Sequence, residues 1–345
     1  MRSRRNRNRK KGLRKLTIVF IILDVLATSC FFIMYGPWDK VRNLVVTTAM
    51  KTMNHQYIAK VFYSQEQIDK IMSKNYFVPI KEEVDENEIV IDTKEKDHYD
   101  NKYDAEILTR ENNNELYKII NLQLGGADAY LVAIYDPTKV QLISAKEFTM
   151  TSYERILTMC QRYNGVVCIN GGGMVDYGTG SGIPQGYVIE DGKITWSDGD
   201  SSTTKGNIIG MTKKGILKLM SDATGDEALE AGVVDAMEFG PFLIVNGKAM
   251  EIVGEPWGHA PRVAIAQRKD GVILFLVSDG ENYLSGPSLQ DVIDILLKYG
   301  AYNAANLDGG HSTTLIVNNQ LYNNPPAIAK NQGGRYVVTG WGLIP

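Results

Sequence analysis

Short apolar runs that break at Asp-Gly, Asn-Gly or Asn-Asn pairs recur along the second half of this chain. They restrict it to a sheet built from hairpins. Val188-Ile189-Glu190-Asp191-Gly192-Lys193-Ile194 is one such unit, and Leu243-Ile244-Val245-Asn246-Gly247-Lys248 is another. Residues 263–277 turn back at Asp270-Gly271, residues 208–217 at Lys213-Lys214-Gly215, and residues 315–321 at Asn318-Asn319. Such pairs accept the left-handed backbone of a two-residue turn, and strands joined that way run antiparallel. Apolar periodicity predicts helices over residues 152–162 and 288–299. The expected fold is therefore α+β: largely antiparallel β-hairpin sheets with a few packed helices. A dinucleotide-binding fold is excluded, because Asn170-Gly171-Gly172-Gly173 after a strand lacks both the G-x-G-x-x-G spacing and the helix that follows it. No G-x-x-x-x-G-K-[ST] phosphate loop is present either.

Three polar, glycine-rich blocks stand at the ends of these apolar runs. The most distinctive is Asn306-Leu307-Asp308-Gly309-Gly310-His311-Ser312-Thr313-Thr314, between the predicted helix ending near Tyr299 and the apolar run Leu315-Ile316-Val317. It puts a carboxylate, two glycines and three hydroxyl residues at an element boundary. The second is Asn170-Gly171-Gly172-Gly173, which follows Val166-Val167-Cys168-Ile169. The third combines Pro261-Arg262 with Ser278-Asp279-Gly280 at the two ends of one hairpin. Glycine lets backbone N–H groups approach a ligand closely, and function collects at strand ends. Each block also has a plainer reading as a turn with a Ser/Thr tail.

In order and spacing these blocks, with Gly240-Pro241-Phe242-Leu243-Ile244-Val245-Asn246-Gly247, resemble those of the phosphodiester glycosidase family over roughly residues 115–345. His311 departs from the pattern, which usually has a third small residue there. The resemblance implies hydrolysis of a sugar-1-phosphodiester. Breaking the anomeric C–O bond creates an oxocarbenium-like centre, which a nearby carboxylate helps. The leaving group is an anion and needs charge neutralisation. Asp308, Asp279 and Glu238 are the candidate catalytic carboxylates. Arg262 suits the phosphate, because its planar fork binds two oxygens at once. The N–H groups of Gly171, Gly172, Gly309 and Gly310 could complete that anion site, with Asn170, His311 and Ser312 lining it. Plainer roles stand beside these: Asp279 as a turn former, Glu238 as a structural partner, Arg262 as a bridge to a carboxylate, Asn170 as a loop cap. No cofactor is required. A divalent cation on Asp308 and Asp279 stays open, since hard carboxylate ligands suit Mg²⁺ or Ca²⁺.

The N-terminus has a different character. Residues 1–15 hold nine of the 37 Lys/Arg and no acid, leaving 28 basic against 40 acidic residues in the remainder. A body at −12 is a poor nucleic-acid surface, so no nucleic-acid partner is expected. Residues 16–35 follow as an apolar run long enough to cross a bilayer, with Asp24 as its blemish. The basic flank predicts a cytoplasmic N-terminus and a domain outside. A cleaved signal peptide competes, but the apolar run continues through Phe31-Phe32-Ile33-Met34-Tyr35, and an uncleaved anchor is the expectation. Residues 36–114 read as a juxtamembrane helix and a charged spacer, too poor in large apolar groups over 81–115 to order itself, unless part of it packs as an edge element of the domain. Residues 115–345 form the expected catalytic domain.

Cys160 and Cys168 lie eight apart and either pair outside the cell or sit as small buried hydrophobes. Without a Cys/His cluster a structural zinc site is not expected. The functional expectation is a membrane-anchored, extracytoplasmic glycosidase acting on a phosphorylated surface glycan or exopolysaccharide. The alternatives are a carbohydrate-binding or assembly protein that has lost the chemistry, and a phosphodiesterase that cleaves P–O. The sequence leaves the oligomeric state unspecified.

Overall fold

The computed structural model describes residues 2–51, 56–94, 98–112, 114–151, 154–176, 182–280, 286–325 and 333–345. By contacts the chain divides into Met1–Tyr76 with Val253–Pro256, and Phe77–Ile252 with Trp257–Pro345. In the first unit a long helix, Arg2–Tyr35, contains a 22-residue segment, Arg14–Tyr35, apolar enough to cross a membrane and exposed except near its C-terminal end. Three shorter helices follow: Asp39–Lys51, Tyr57–Phe62 and Gln65–Met72. Met34 of the long helix shares their small core with Val46, Ala49, Ala59, Tyr63 and Ile68. The last helix starts at a capping box, in which Ser64 and Gln67 satisfy each other's backbone N–H groups.

Among the described residues, the second unit carries three large antiparallel sheets and a two-stranded one, Met174–Asp176 with Gly182–Pro184. A seven-stranded sheet runs Lys248–Ala249, Phe242–Val245, Ala301–Leu307, Val263–Arg268, Ile273–Ser278, Ala127–Ile134, Tyr117–Leu124. Its central strands are buried on both faces, which explains their unbroken apolar sequence. Ile273, Phe275 and Val277 point into the core shared with the other sheets. Leu274 and Leu276 point the opposite way, onto Leu289, Val292, Ile293 and Leu296 of the helix Leu289–Lys298. One five-stranded sheet contains Val167–Asn170 between Leu315–Val317 and Thr339–Leu343, and the other contains Val233–Glu238.

All five expected hairpins form, and the left-handed residues fall where the sequence places them: Asp191, Gly192, Asn246, Gly247, Gly271, Asn318 and Asn319 all have positive φ. The α+β expectation holds. The helix expected from Ser288 starts there, with Ser288 as cap. The one expected over 152–162 is Ile156–Arg162, and residues 152–153 lie outside the described residues. Cys160 on this helix is disulfide-bonded to Cys168 on the adjacent strand.

Two features go beyond what the sequence indicates. Residues 301–307 are a strand, although Ala-Tyr-Asn-Ala-Ala-Asn-Leu has little β-propensity. Pairing on both sides, with Phe242–Val245 and Val263–Arg268, makes it one. The charged spacer, in turn, packs on the body. Val84 and Ile89 are buried, Val90 and Asp92 donate to the carbonyls of Lys269 and Asp270, and Asn246 is bonded to the backbone of Glu83 and Asp85. Glu82, Glu86 and Glu88 pair with Lys248, Lys218 and Lys269. Exposed pairs add little energy individually, so the few buried side chains and backbone bonds fix the segment. Beyond it the helix Lys102–Leu108 buries Ile107 and Leu108.

Candidate active site

Strand register explains why blocks distant in sequence meet. Val263 opens its strand opposite both Val277 and Leu307, where their strands end. Arg262, Ser278-Asp279 and Asp308 therefore emerge from the same end of the seven-stranded sheet. Arg262 N donates to Ser278 Oγ at 2.8 Å, and Ser278 N returns a bond to Arg262 O at 2.9 Å. Asn170 ends a strand of the neighbouring sheet and is fully buried. Its Nδ2 donates to Asp308 O at 2.6 Å and its Oδ1 accepts from Thr314 N at 2.9 Å, so it clamps both ends of the Asp308 loop. Asn170 is thus the loop cap of the plainer reading, with both polar groups used.

The glycines serve close packing, and their N–H groups are spent inside the protein. Gly171 N donates to Thr339 O and Gly172 N to Thr339 Oγ1, at 3.0 and 3.1 Å. Gly310 N donates to Pro261 O at 2.9 Å, and the Gly309 N–H bonds the Asp308 carboxylate. A Cβ on Gly309 would lie 2.5 Å from Pro261 O, and one on Gly172 would lie 2.9 Å from Glu238 O. In this structure the N–H groups of these four glycines donate within the protein, and their missing Cβ atoms let three strand ends touch.

Arg262 is likewise engaged within the protein. It is 6% exposed, and donates to Trp257 O at 3.0 Å, Gly258 O at 2.8 Å and Pro287 O at 3.4 Å. Its guanidinium ties two loops together. Asp279 is buried and held by neutral donors: Asn324 N at 2.8 Å and Asn323 Nδ2 at 3.1 Å on one oxygen, Tyr130 OH at 3.1 Å on the other. Burial still raises its pKa above the usual carboxylate range, against those hydrogen bonds. Among the described residues no group of three or more His, Cys, Asp or Glu stands together as a metal site.

Asp308 sits among opposing influences on its charge. Burial pushes its pKa up, while the Ser312 hydroxyl, the positive charge of Arg335 and the Gly309 N–H each pull it down. Ser312 is fully buried in the short 3₁₀ turn Gly310–Ser312, and its Oγ accepts from Arg335 Nη1 at 3.3 Å. His311 lies partly exposed on that turn. The carboxylate thus meets, through one hydroxyl, a guanidinium 27 positions along the chain. Sequence reading missed Arg335; Gly333-Gly334 before it is the sole local signal.

Beside this loop lies a cavity of about 480 Å³, walled by Phe77, Phe239, Phe242 and Trp257 and edged by Asp198, Asn207, Gln185 and Glu238. Its lining does not include Asp308; Asn306, two residues before Asp308, donates its Nδ2 to the carbonyl of cavity-lining Gly240 at 3.4 Å, and Gly173, in the loop after Asn170, is in close approach to Gln185 and Phe239. Glu238 fits between Gly186 and Gly206, where any Cβ would collide with its carboxylate. Burial, then the negative charge of Asp198, raise its pKa. Aromatic faces with a few polar groups between them suit a sugar ring.

Residues 163–344 match the sequence profile of the phosphodiester glycosidase family. The chain belongs to that family. It is 28% identical over 198 residues to the SPbeta prophage-derived uncharacterized protein YomE of Bacillus subtilis, an overlap of 55% of this chain and 30% of that one. It is 36% identical over 64 residues to human N-acetylglucosamine-1-phosphodiester alpha-N-acetylglucosaminidase, 19% of this chain and 12% of the human protein. The chain thus spans less than a third of the length of these relatives. The zebrafish catalytic domain of the same name, solved auto-inhibited by its pro-peptide, superposes with a TM-score of 0.56 at 20% identity, covering 68% of this chain and 85% of that one. That likeness establishes the fold.

Proposed function

We propose that this phosphodiester glycosidase domain hydrolyses a sugar-1-phosphodiester by breaking the anomeric C–O bond, with Asp308 as the carboxylate that faces the developing positive charge. The observation that carries the reading is the convergence of separate strand ends on one half-buried aspartate beside an aromatic-walled cavity. The cavity takes the sugar ring, and Glu238, whose raised pKa favours the protonated form, is placed to exchange a proton or bond a hydroxyl there. Asp279 holds the scaffold beneath the site through Tyr130, Asn323 and Asn324. The reaction needs no cofactor.

Two features support action outside the cytoplasm. The exposed apolar helix Arg14–Tyr35 with its basic flank fits an uncleaved anchor, and the Cys160–Cys168 disulfide fits an oxidising compartment. A phosphorylated surface polymer is the substrate class such a protein would meet. The test uses the full-length protein in detergent and a panel of sugar-1-phosphodiesters, with free reducing sugar as the signal. Release by the parent, and its loss in Asp308→Ala, is expected. An Asp308→Ala protein as active as the parent would sink the assignment.

A further inference from the structure

Breaking the anomeric bond sends its electron pair to the phosphate oxygen. A diester with one negative charge becomes a monoester with two, while water supplies oxygen to the sugar carbon and gives its proton to the medium. The site must therefore meet a phosphate whose charge grows during the reaction. The cation expected from sequence, Arg262, is buried against three loop carbonyls, and the glycine N–H groups are engaged within the protein.

We infer that Arg335, with the Ser312 hydroxyl, is the phosphate-binding group of this site; the inference rests on the reaction proposed above. Four observations carry it. Arg335 is partly exposed, so a ligand can reach it, whereas Arg262 is nearly sealed. Its Nη1 is 3.3 Å from Ser312 Oγ, and its charge acts on Asp308. The backbone on either side of it is held by Arg155 and Glu154. Arg155 Nε donates to Gly334 O at 3.0 Å, the Arg155 guanidinium lies 4.0 Å from the Tyr336 ring centroid, and Val337 N donates to Glu154 O at 3.0 Å. Gly334, at φ +99° with its Cβ position only 3.0 Å from Thr314 Oγ1, lets the segment close onto the Asp308 loop.

The geometry thus sets a carboxylate and a guanidinium on either side of one serine hydroxyl. As the bond breaks, the carboxylate faces the sugar cation and the guanidinium the growing phosphate charge. A preorganised charge of this kind favours the transition state over the bound diester, because the second phosphate charge is absent from the ground state and develops as the bond breaks.

The test combines a ligand and a pair of substrates, all with the full-length protein in detergent. Inorganic phosphate is titrated calorimetrically into the parent, Arg335→Met, Arg335→Lys and Arg262→Lys. In parallel, kcat/KM is compared for a sugar-1-phosphodiester and an uncharged aryl glycoside of the same sugar. Arg335→Met should bind phosphate at least about tenfold more weakly and lose about 10²–10³ in kcat/KM on the phosphodiester, with a much smaller loss on the aryl glycoside. Arg335→Lys keeps the charge without the fork and should fall between. Arg262→Lys should bind phosphate as the parent does. Melting curves establish that each variant is folded, and Arg335→Lys carries the comparison if Arg335→Met is not. A parent that binds no phosphate, a folded Arg335 variant that binds it undiminished, or equal losses on both substrates overturns the inference. Absence of phosphodiester turnover in the parent fails the proposed reaction instead, and the phosphate titration still decides Arg335.

Discussion

Replacing Arg262 with methionine separates a scaffold role from a substrate role. Methionine fills similar space and donates nothing. It deletes the bonds to Trp257 O at 3.0 Å and Gly258 O at 2.8 Å, and the longer one to Pro287 O at 3.4 Å. A hydrogen bond from a charged donor contributes about 1.5–3 kcal/mol, and a buried carbonyl left bare adds a penalty of its own. Counting only the two short bonds, the loss is about 3 kcal/mol or more. For a body of this size each kcal/mol moves Tm by about 2–4 °C, so the main transition should drop by at least about 6 °C. Calorimetry of the full-length protein in detergent measures this. Kinetics well below the transition should show similar losses on phosphodiester and aryl glycoside substrates. If Arg262→Met melts with the parent and loses only phosphodiester turnover, the scaffold argument is wrong and the guanidinium belongs to the substrate.

Three further outcomes follow from the site and the core. Asp308→Asn should lower turnover at least about a hundredfold, yet melt no lower than the parent at neutral pH. The sign comes from burial: the folded pKa of Asp308 lies above its unfolded value, so its charge costs stability above the folded pKa and that cost fades as pH falls toward the usual carboxylate range. The Tm difference between parent and variant should shrink on acidification; a gap that widens would contradict the shift. Gly309→Ala puts a methyl 2.5 Å from Pro261 O and should cost about 1–3 kcal/mol with loss of turnover, read by melting and kinetics together; a neutral variant would mean that the strand ends are not in contact. Reducing the Cys160–Cys168 bond should remove about 2–3 kcal/mol, as its short loop implies, and an unchanged Tm in reductant would show that the bond contributes nothing.

Much of the fold was legible because hairpin turns are local chemistry. Asp191-Gly192, Asn246-Gly247 and Asn318-Asn319 adopt left-handed backbone wherever they sit, and the register of the flanking strands follows from them. The strand Ala301–Leu307 was not legible, since its pairing partners and not its side chains make it extended. The same holds for residues 81–112, whose charges are met by lysines on hairpins more than a hundred positions away. At the site, register brings Arg262, Asp279 and Asp308 to one end of the seven-stranded sheet, and Asn170 reaches them from the neighbouring sheet. What each does was harder to read, because a motif names side chains without naming the donors and acceptors that occupy them. Sequence alone does not reveal that the Arg262 guanidinium meets three carbonyls, or that Gly171 and Gly172 donate to Thr339 and Gly310 to Pro261 O. Arg335 carried no signal, as only the tertiary fold sets it beside Ser312.

The central claim is that the bond broken lies between the anomeric carbon and oxygen. Hydrolysis of a sugar-1-phosphodiester by the full-length protein in ¹⁸O-enriched water, with mass analysis of both products, tests it most directly. The account predicts the label in the anomeric hydroxyl of the released sugar and none in the phosphate monoester. Label in the phosphate would show P–O cleavage and contradict the assignment of Asp308 to the sugar carbon.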